Sequence, residues 1–171
     1  MKDGWLANID LSDLKHDNEF TFGVVCAQWN RDITHTLFDE CTKALTELGA
    51  DKDKIHTAFV PGTYELPSAA KFMLSYHDCD AIIALGCVIK GETEHDRFIN
   101  EAVSTGLMQL GLMSNVPCLF GVLTTHNYQQ ALDRANGKVE NKGKDCAFSA
   151  TYMARLKTDL KKETKGQIGF L

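Results

Sequence analysis

No run of about 18 consecutive apolar residues occurs in this chain, so the sequence offers no helix able to span a bilayer. Positive charge is also in deficit. Eighteen Lys and Arg stand against 23 Asp and Glu, a formal net charge of −5, which leaves no overall field to recruit nucleic acid or an anionic membrane surface. Any anion site must therefore be local. The six cysteines (Cys26, Cys41, Cys79, Cys87, Cys118, Cys146) lack a C-x-x-C pair and several lie in apolar runs, which reads as reduced, buried thiols rather than a disulfide framework or zinc site. The histidines show neither H-x-H nor H-E-x-x-H spacing, and no metal site is expected. The first twenty residues carry Asp3, Asp10, Asp13, Asp17 and Glu19 and no apolar run resembling a signal segment, so a cytoplasmic location is expected. Internal repeats and low-complexity tracts are absent.

What is present is enough for one core: 171 residues, 44% apolar. Residues 1–19 are polar and weakly patterned, read as an arm over a neighbouring subunit or as simple disorder, and residues 20–171 as a single domain. Apolar stretches at 20–27, 55–60, 81–89 and 117–123 read as strands. Between and after them, 32–48, the segment from Pro67 to about Tyr76, 94–113, 129–135 and 145 to about 160 carry helical spacing, with Gly49 as a stop signal. Strand alternating with helix predicts an α/β three-layer sandwich: a four-stranded parallel sheet in the flavodoxin-like order, flanked by helices on both faces. Ligands of such sheets bind beyond the carboxyl ends of the strands. Attention falls on 28–31, 61–67, 87–95 and 124–127.

Within those segments Gly86 to Gly91 has the glycine spacing of a phosphate-cradling loop, but Glu92 occupies the place where that motif needs lysine, which disfavours a nucleoside triphosphate. A strand, a glycine turn and a helix start still put free backbone N–H groups at Gly91 to Glu94, a seat for a single phosphate to which Thr93 adds a hydroxyl. The competing role of Gly91 and Thr93 is to turn the chain and cap the helix. His95 is placed to move protons beside such an anion, or is a solvated surface group. Trp29, between Gln28 and Asn30, either presents a stacking surface to a heteroaromatic ligand or is buried under its own helix. Glu65 either accepts hydrogen bonds from ligand hydroxyls or caps the following helix. Arg134, Lys138, Lys142 and Lys144 form the one basic concentration, a phosphate complement or a solvated surface. No nucleophile stands in a recognised motif, so proton transfer and positioning fit better than covalent catalysis.

Taken together, five stretches resemble the lumazine synthase family over about Phe22 to Leu156: Gln28-Trp29-Asn30, Pro61 to Pro67, Gly86 to His95, Pro117 to Thr125, and Arg134 followed by Asn141-Lys142-Gly143. The resemblance implies a riboflavin-biosynthetic transferase that condenses 5-amino-6-ribitylaminouracil with 3,4-dihydroxy-2-butanone 4-phosphate, releasing phosphate and water, with no cofactor. It implies that Trp29 stacks on the pyrimidine beside Asn30, that Glu65 and the loop Gly62-Thr63-Tyr64 hold the ribityl hydroxyls, and that the Cys87-Val88-Ile89 backbone meets the ring edge. Gly91, Glu92, Thr93 and Arg134 would bind phosphate, and His95 would move protons during imine formation and phosphate elimination. Each site of the family lies between subunits of a ring, so Phe120 and Lys142 would reach a neighbour's ligand. A homopentamer is implied, with a sixty-subunit icosahedral shell and association with riboflavin synthase as further expectations.

Three positions depart from the family pattern: Asp96 where an aromatic residue is common, Thr63 in place of a smaller alanine or serine, and Asn136 where glycine is frequent. The alternatives are a non-catalytic lumazine- or flavin-binding or shell-forming relative, and a flavodoxin-like binding or signalling domain.

Overall fold

The computed structural model describes residues 11–16 and 18–167; the first ten residues of the expected arm lie outside them. Four parallel strands, β1 (Phe22–Ala27), β2 (Ile55–Val60), β3 (Ala81–Ile89) and β4 (Cys118–Thr125), lie in the order β2-β1-β3-β4. Among the described residues five α-helices connect and cover them: α1 (Arg31–Glu47), α2 (Leu66–Tyr76), α3 (His95–Ser114), α4 (Tyr128–Ala135) and α5 (Lys142–Gln167). Every residue of β1 is buried, as are all but the last of β3, which explains why these two strands read as unbroken apolar runs rather than alternating ones.

Alternation nevertheless sorts their side chains. Phe22, Val24 and Cys26 of β1 join Ile83, Leu85 and Cys87 of β3 in one cluster with α1, α4 and α5, while Val25 and Ala27 join Ile82, Ala84 and Val88 in a second with α2 and α3. Two helices on one face and three on the other complete the three layers. Chain order reverses between β1 and β3, so the crevice where a ligand is expected opens beyond their carboxyl ends.

α5 is longer than its apolar spacing predicts, beginning at Lys142 and running to Gln167. Its start is explained by Asn141, whose Oδ1 accepts from Lys144 N at 3.0 Å as an N-terminal cap, while Asn141 Nδ2 donates to Glu40 of α1 at 2.6 Å. Gly143 then lets the two helices touch. A Cβ there would stand 2.3 Å from Leu37 O and 3.2 Å from Cys41 N, both backbone atoms of α1 that have no room to retreat. Gly143→Ala is expected to cost about 1–3 kcal/mol of stability by forcing α5 off α1, read as a lowered denaturant midpoint at constant slope. An unchanged midpoint would show that the crossing is looser than this.

Before β1, Leu14, His16 and Asn18 pack on the chain's own fold. Leu14 is buried with Leu48 and Phe148, and the backbone pairs His16 N with Leu48 O (2.8 Å) and Asn18 N with Gly49 O (3.0 Å). Gly49 adopts φ +112°, and any side chain on it would collide with His16 O.

Candidate active site at the carboxyl end of the sheet

A cavity of about 470 Å³ opens beyond β1, β2 and β3, a size within the roughly 300–1,000 Å³ usual for small-molecule sites. After β1 it is lined by Trp29 and Asn30; after β2 by Gly62, Thr63, Tyr64 and Glu65; at the end of β3 by Cys87, Val88 and Ile89. The turn into α3 adds Gly91 and Thr93, and the first turn of α3 adds His95, Asp96 and Ile99.

Each side chain owes its place to local structure. Trp29 is 71% exposed, so its ring is presented to solvent and cavity rather than buried under α1; its backbone N–H is anchored on Pro61 O at 3.1 Å. Asn30 sits at φ +55°, a left-handed position that Asn tolerates. Its amide does not cap α1 but crosses to β3, Nδ2 donating to Cys87 O at 3.1 Å, which ties the first loop to the cavity floor. Glu65 folds back so that Oε2 accepts from Gly62 N at 2.9 Å, shaping the β2 loop. Thr63, bulkier than the family pattern, is buried because Gly86 of β3 has no side chain: a Cβ at Gly86 would lie 2.9 Å from Thr63 Oγ1.

At the start of α3 the Thr93 hydroxyl accepts from His95 N at 3.4 Å. A Cβ on Gly91 would meet nothing within 4 Å, so this glycine leaves open space in front of the turn rather than relieving crowding within the chain. Cys87, the one thiol on the cavity, is no nucleophile. Burial first, then the nearby Asp32 carboxylate, push it up to about 12 against the opposing hydrogen bond with Asn30, so it stays protonated in the neutral range.

Four of the expected site residues do not line this cavity. Glu92 is exposed to solvent outside it. Phe120 is level with Ala84 in the middle of edge strand β4, well short of the carboxyl end. Lys142 opens α5 on the α1 side of the sheet. Arg134, near the end of α4, pairs with Glu140 (Nε to Oε1, 3.5 Å) and donates from Nη1 to Gln130 O at 3.0 Å, and it is not among the residues that line the cavity. Conversely, Asp96 and Ile99 line the cavity although neither was expected to. Ile99 was legible as the residue one helical turn beyond His95, on the same face. Asn136 takes φ −94° at the end of α4, and Gly137 at φ +83° supplies the left-handed residue instead. Among the described residues no group of three or more His, Cys, Asp or Glu could hold a metal ion, and no helix is long and apolar enough to cross a membrane.

A doubly wound α/β protein with an exposed indole, a loop carboxylate and an imidazole around one cavity at its topological switch point is built to bind and transform a small molecule. The chain belongs to the 6,7-dimethyl-8-ribityllumazine synthase family: residues 19–158 match the family model of that description. It is similar to 6,7-dimethyl-8-ribityllumazine synthase of Cytophaga hutchinsonii, 46% identical over 132 residues that cover 77% of this chain and 83% of the relative. The protein of the same name from Bacteroides fragilis is 42% identical, covering 77% and 92%. That from Porphyromonas gingivalis is 39% identical over 151 residues, covering 88% and 94%.

Proposed function

We propose that this chain is a riboflavin-biosynthetic transferase that joins 5-amino-6-ribitylaminouracil to 3,4-dihydroxy-2-butanone 4-phosphate, yielding 6,7-dimethyl-8-ribityllumazine, phosphate and water. The observation that carries this reading is the gathering of Trp29, Glu65, Thr93 and His95 around one cavity in a chain of this family. The Trp29 ring stacks on the pyrimidine, and the β3 end from Cys87 to Ile89 meets the ring edge with backbone groups. Glu65, held in place by Gly62 N, accepts from ribityl hydroxyls with its remaining lone pairs. The open space before Gly91 and the start of α3 seat the phosphate on free amides, with the Thr93 hydroxyl beside them. His95 takes the proton released as the amine adds to the ketone carbonyl and returns it to the hydroxyl that leaves as water; it then takes the proton from the carbon beside the imine, whose electron pair expels the phosphate.

Arg134, Lys142 and Phe120 act on the cavity of a neighbouring copy. In favour of assembly, α3 and α5 expose an apolar groove of about 680 Å³ whose walls include Met108, Leu112, Met153, Leu156 and Leu160. Met108, Leu112 and Leu160 are more than half exposed in the single chain, a contiguous apolar surface of the kind that marks a protein interface. A pentameric ring, which closes into a sixty-subunit shell and associates with riboflavin synthase, is the assembly proposed; the compartment is the cytoplasm.

Purified protein given both substrates is expected to form a fluorescent lumazine and free phosphate in equal amounts. Product no faster than the uncatalysed background would overturn the reading. Native mass measurement separates ring from shell.

A further inference from the structure

Two contacts leave the candidate site and end in one turn that lines no part of it, residues 125–128 between β4 and α4. On one side Lys90 N, at the foot of the Gly91–Thr93 turn, donates to Thr125 O at 2.8 Å. On the other, the Tyr128 hydroxyl donates to the Asp32 carboxylate in the first turn of α1, two residues beyond Asn30. The turn is itself stiffened. Thr125, buried, donates from Oγ1 to Asn127 O at 3.0 Å; Asn127 Oδ1 accepts from Gln130 N at 2.9 Å; His126 N donates to Gln130 Oε1 at 3.0 Å.

We propose that Tyr128 is a positioning residue: through Asp32 it fixes where the 28–31 loop presents the Trp29 ring, and the 125–128 turn holds that loop at a set distance from the Gly91–Thr93 turn. This rests on the reading of the cavity as the condensation site, with the pyrimidine on Trp29 and the phosphorylated ketone at Gly91–Thr93. The two reactants then sit on loops from different strands, and their reacting atoms must be held about 3–3.5 Å apart for the bond to form. The Asn30 side chain spans the same gap directly, Nδ2 to Cys87 O, but being so used it leaves the start of α1 without a side-chain cap. Asp32 supplies negative charge there, and Tyr128 gives that carboxylate one orientation. The same hydrogen bond, with the nearby carboxylate charge, holds the Tyr128 phenol above its usual range, so the donor keeps its proton through the neutral range.

Tyr128→Phe keeps the ring and deletes the donor. Its expected effect is a rise of about three- to tenfold in KM for the pyrimidine, the loss of one hydrogen bond, with KM for the ketone changed by less than about twofold. Asp32→Ala should reproduce this, Asp32→Asn, which keeps an accepting oxygen, should largely restore it, and the double variant Asp32→Ala, Tyr128→Phe should be no worse than either single one. An unchanged pyrimidine KM, equal rises in both KM values, or additive losses in the double variant would overturn the proposal. If the unmodified protein makes no lumazine, the enzymatic reading fails on its own and the brace is decided by fluorescence in a Trp5→Phe background. There Tyr128→Phe should lower the anisotropy of Trp29, and an unchanged anisotropy would overturn it.

Discussion

Replacing His95 with alanine is expected to lower kcat by about a hundredfold or more while leaving the fold intact, because general acid–base catalysis by a positioned imidazole contributes roughly that factor. The fold should survive because His95 is exposed at the first residue of α3, where its ring lines the cavity and supports no core contact. Removing a solvent-facing ring costs no buried surface. The loss should fall on kcat and not on either KM, since the proposed role is proton movement during imine formation and phosphate loss rather than binding. Steady-state kinetics with each substrate varied checks this, and a kcat within about threefold of the unmodified protein would remove His95 from the mechanism. Asp96, the next residue, also lines the cavity and is the nearest departure from the family pattern, so Asp96→Asn is the natural companion measurement for its influence on the pH profile.

Arg134→Ala is expected to act on the other substrate. If its guanidinium supplies one charge-assisted hydrogen bond to the phosphate, its loss weakens use of the phosphorylated ketone by about 1.5–3 kcal/mol, roughly ten- to more than a hundredfold in kcat/KM. In the single chain this side chain is engaged by Glu140 and by Gln130 O and does not line the chain's own cavity. The shared-site proposal assigns it to a phosphate bound on another copy, and a surface ion pair such as that with Glu140 does not prevent its recruitment. Refolding His95→Ala and Arg134→Ala chains together is then expected to restore part of the activity that neither has alone, because some sites receive an intact imidazole from one copy and an intact guanidinium from the next. Unchanged dependence on the ketone in Arg134→Ala, or no recovery on mixing, would take Arg134 out of the shared site.

Much of the cavity was legible along the chain because each lining segment is local: a strand end, a turn and a helix start within a few residues. Trp29, Gly62 to Glu65, Cys87 to Ile89, Gly91, Thr93 and His95 all stand at or just past the end of an apolar strand, and that position alone selects them. Choices between two roles for one residue were not legible, since they depend on what packs from elsewhere. Trp29 proves exposed, and Glu65 proves to brace its own loop. Asn141 and Gly143 of the resembling stretch are engaged in starting α5 and seating it on α1, which spacing gave no means of distinguishing from a role toward ligand. Ile99 packs against the core as its helical spacing implies, and the opening of the cavity above α3 makes it wall as well.

From sequence alone came the four strands and the five α-helices of the described residues, the parallel sheet they imply, and the strand ends at which chemistry belongs, because periodicity and turn residues are properties of contiguous stretches. Tertiary structure alone decided that Asn30 reaches Cys87, that Thr63 fits because Gly86 is bare, that Tyr128 grips Asp32, and that Arg134 pairs with Glu140. The Asn30 and Tyr128 contacts join residues 57 and 96 positions apart. No local pattern encodes such pairs: they exist only once the sheet order β2-β1-β3-β4 has set which loops become neighbours.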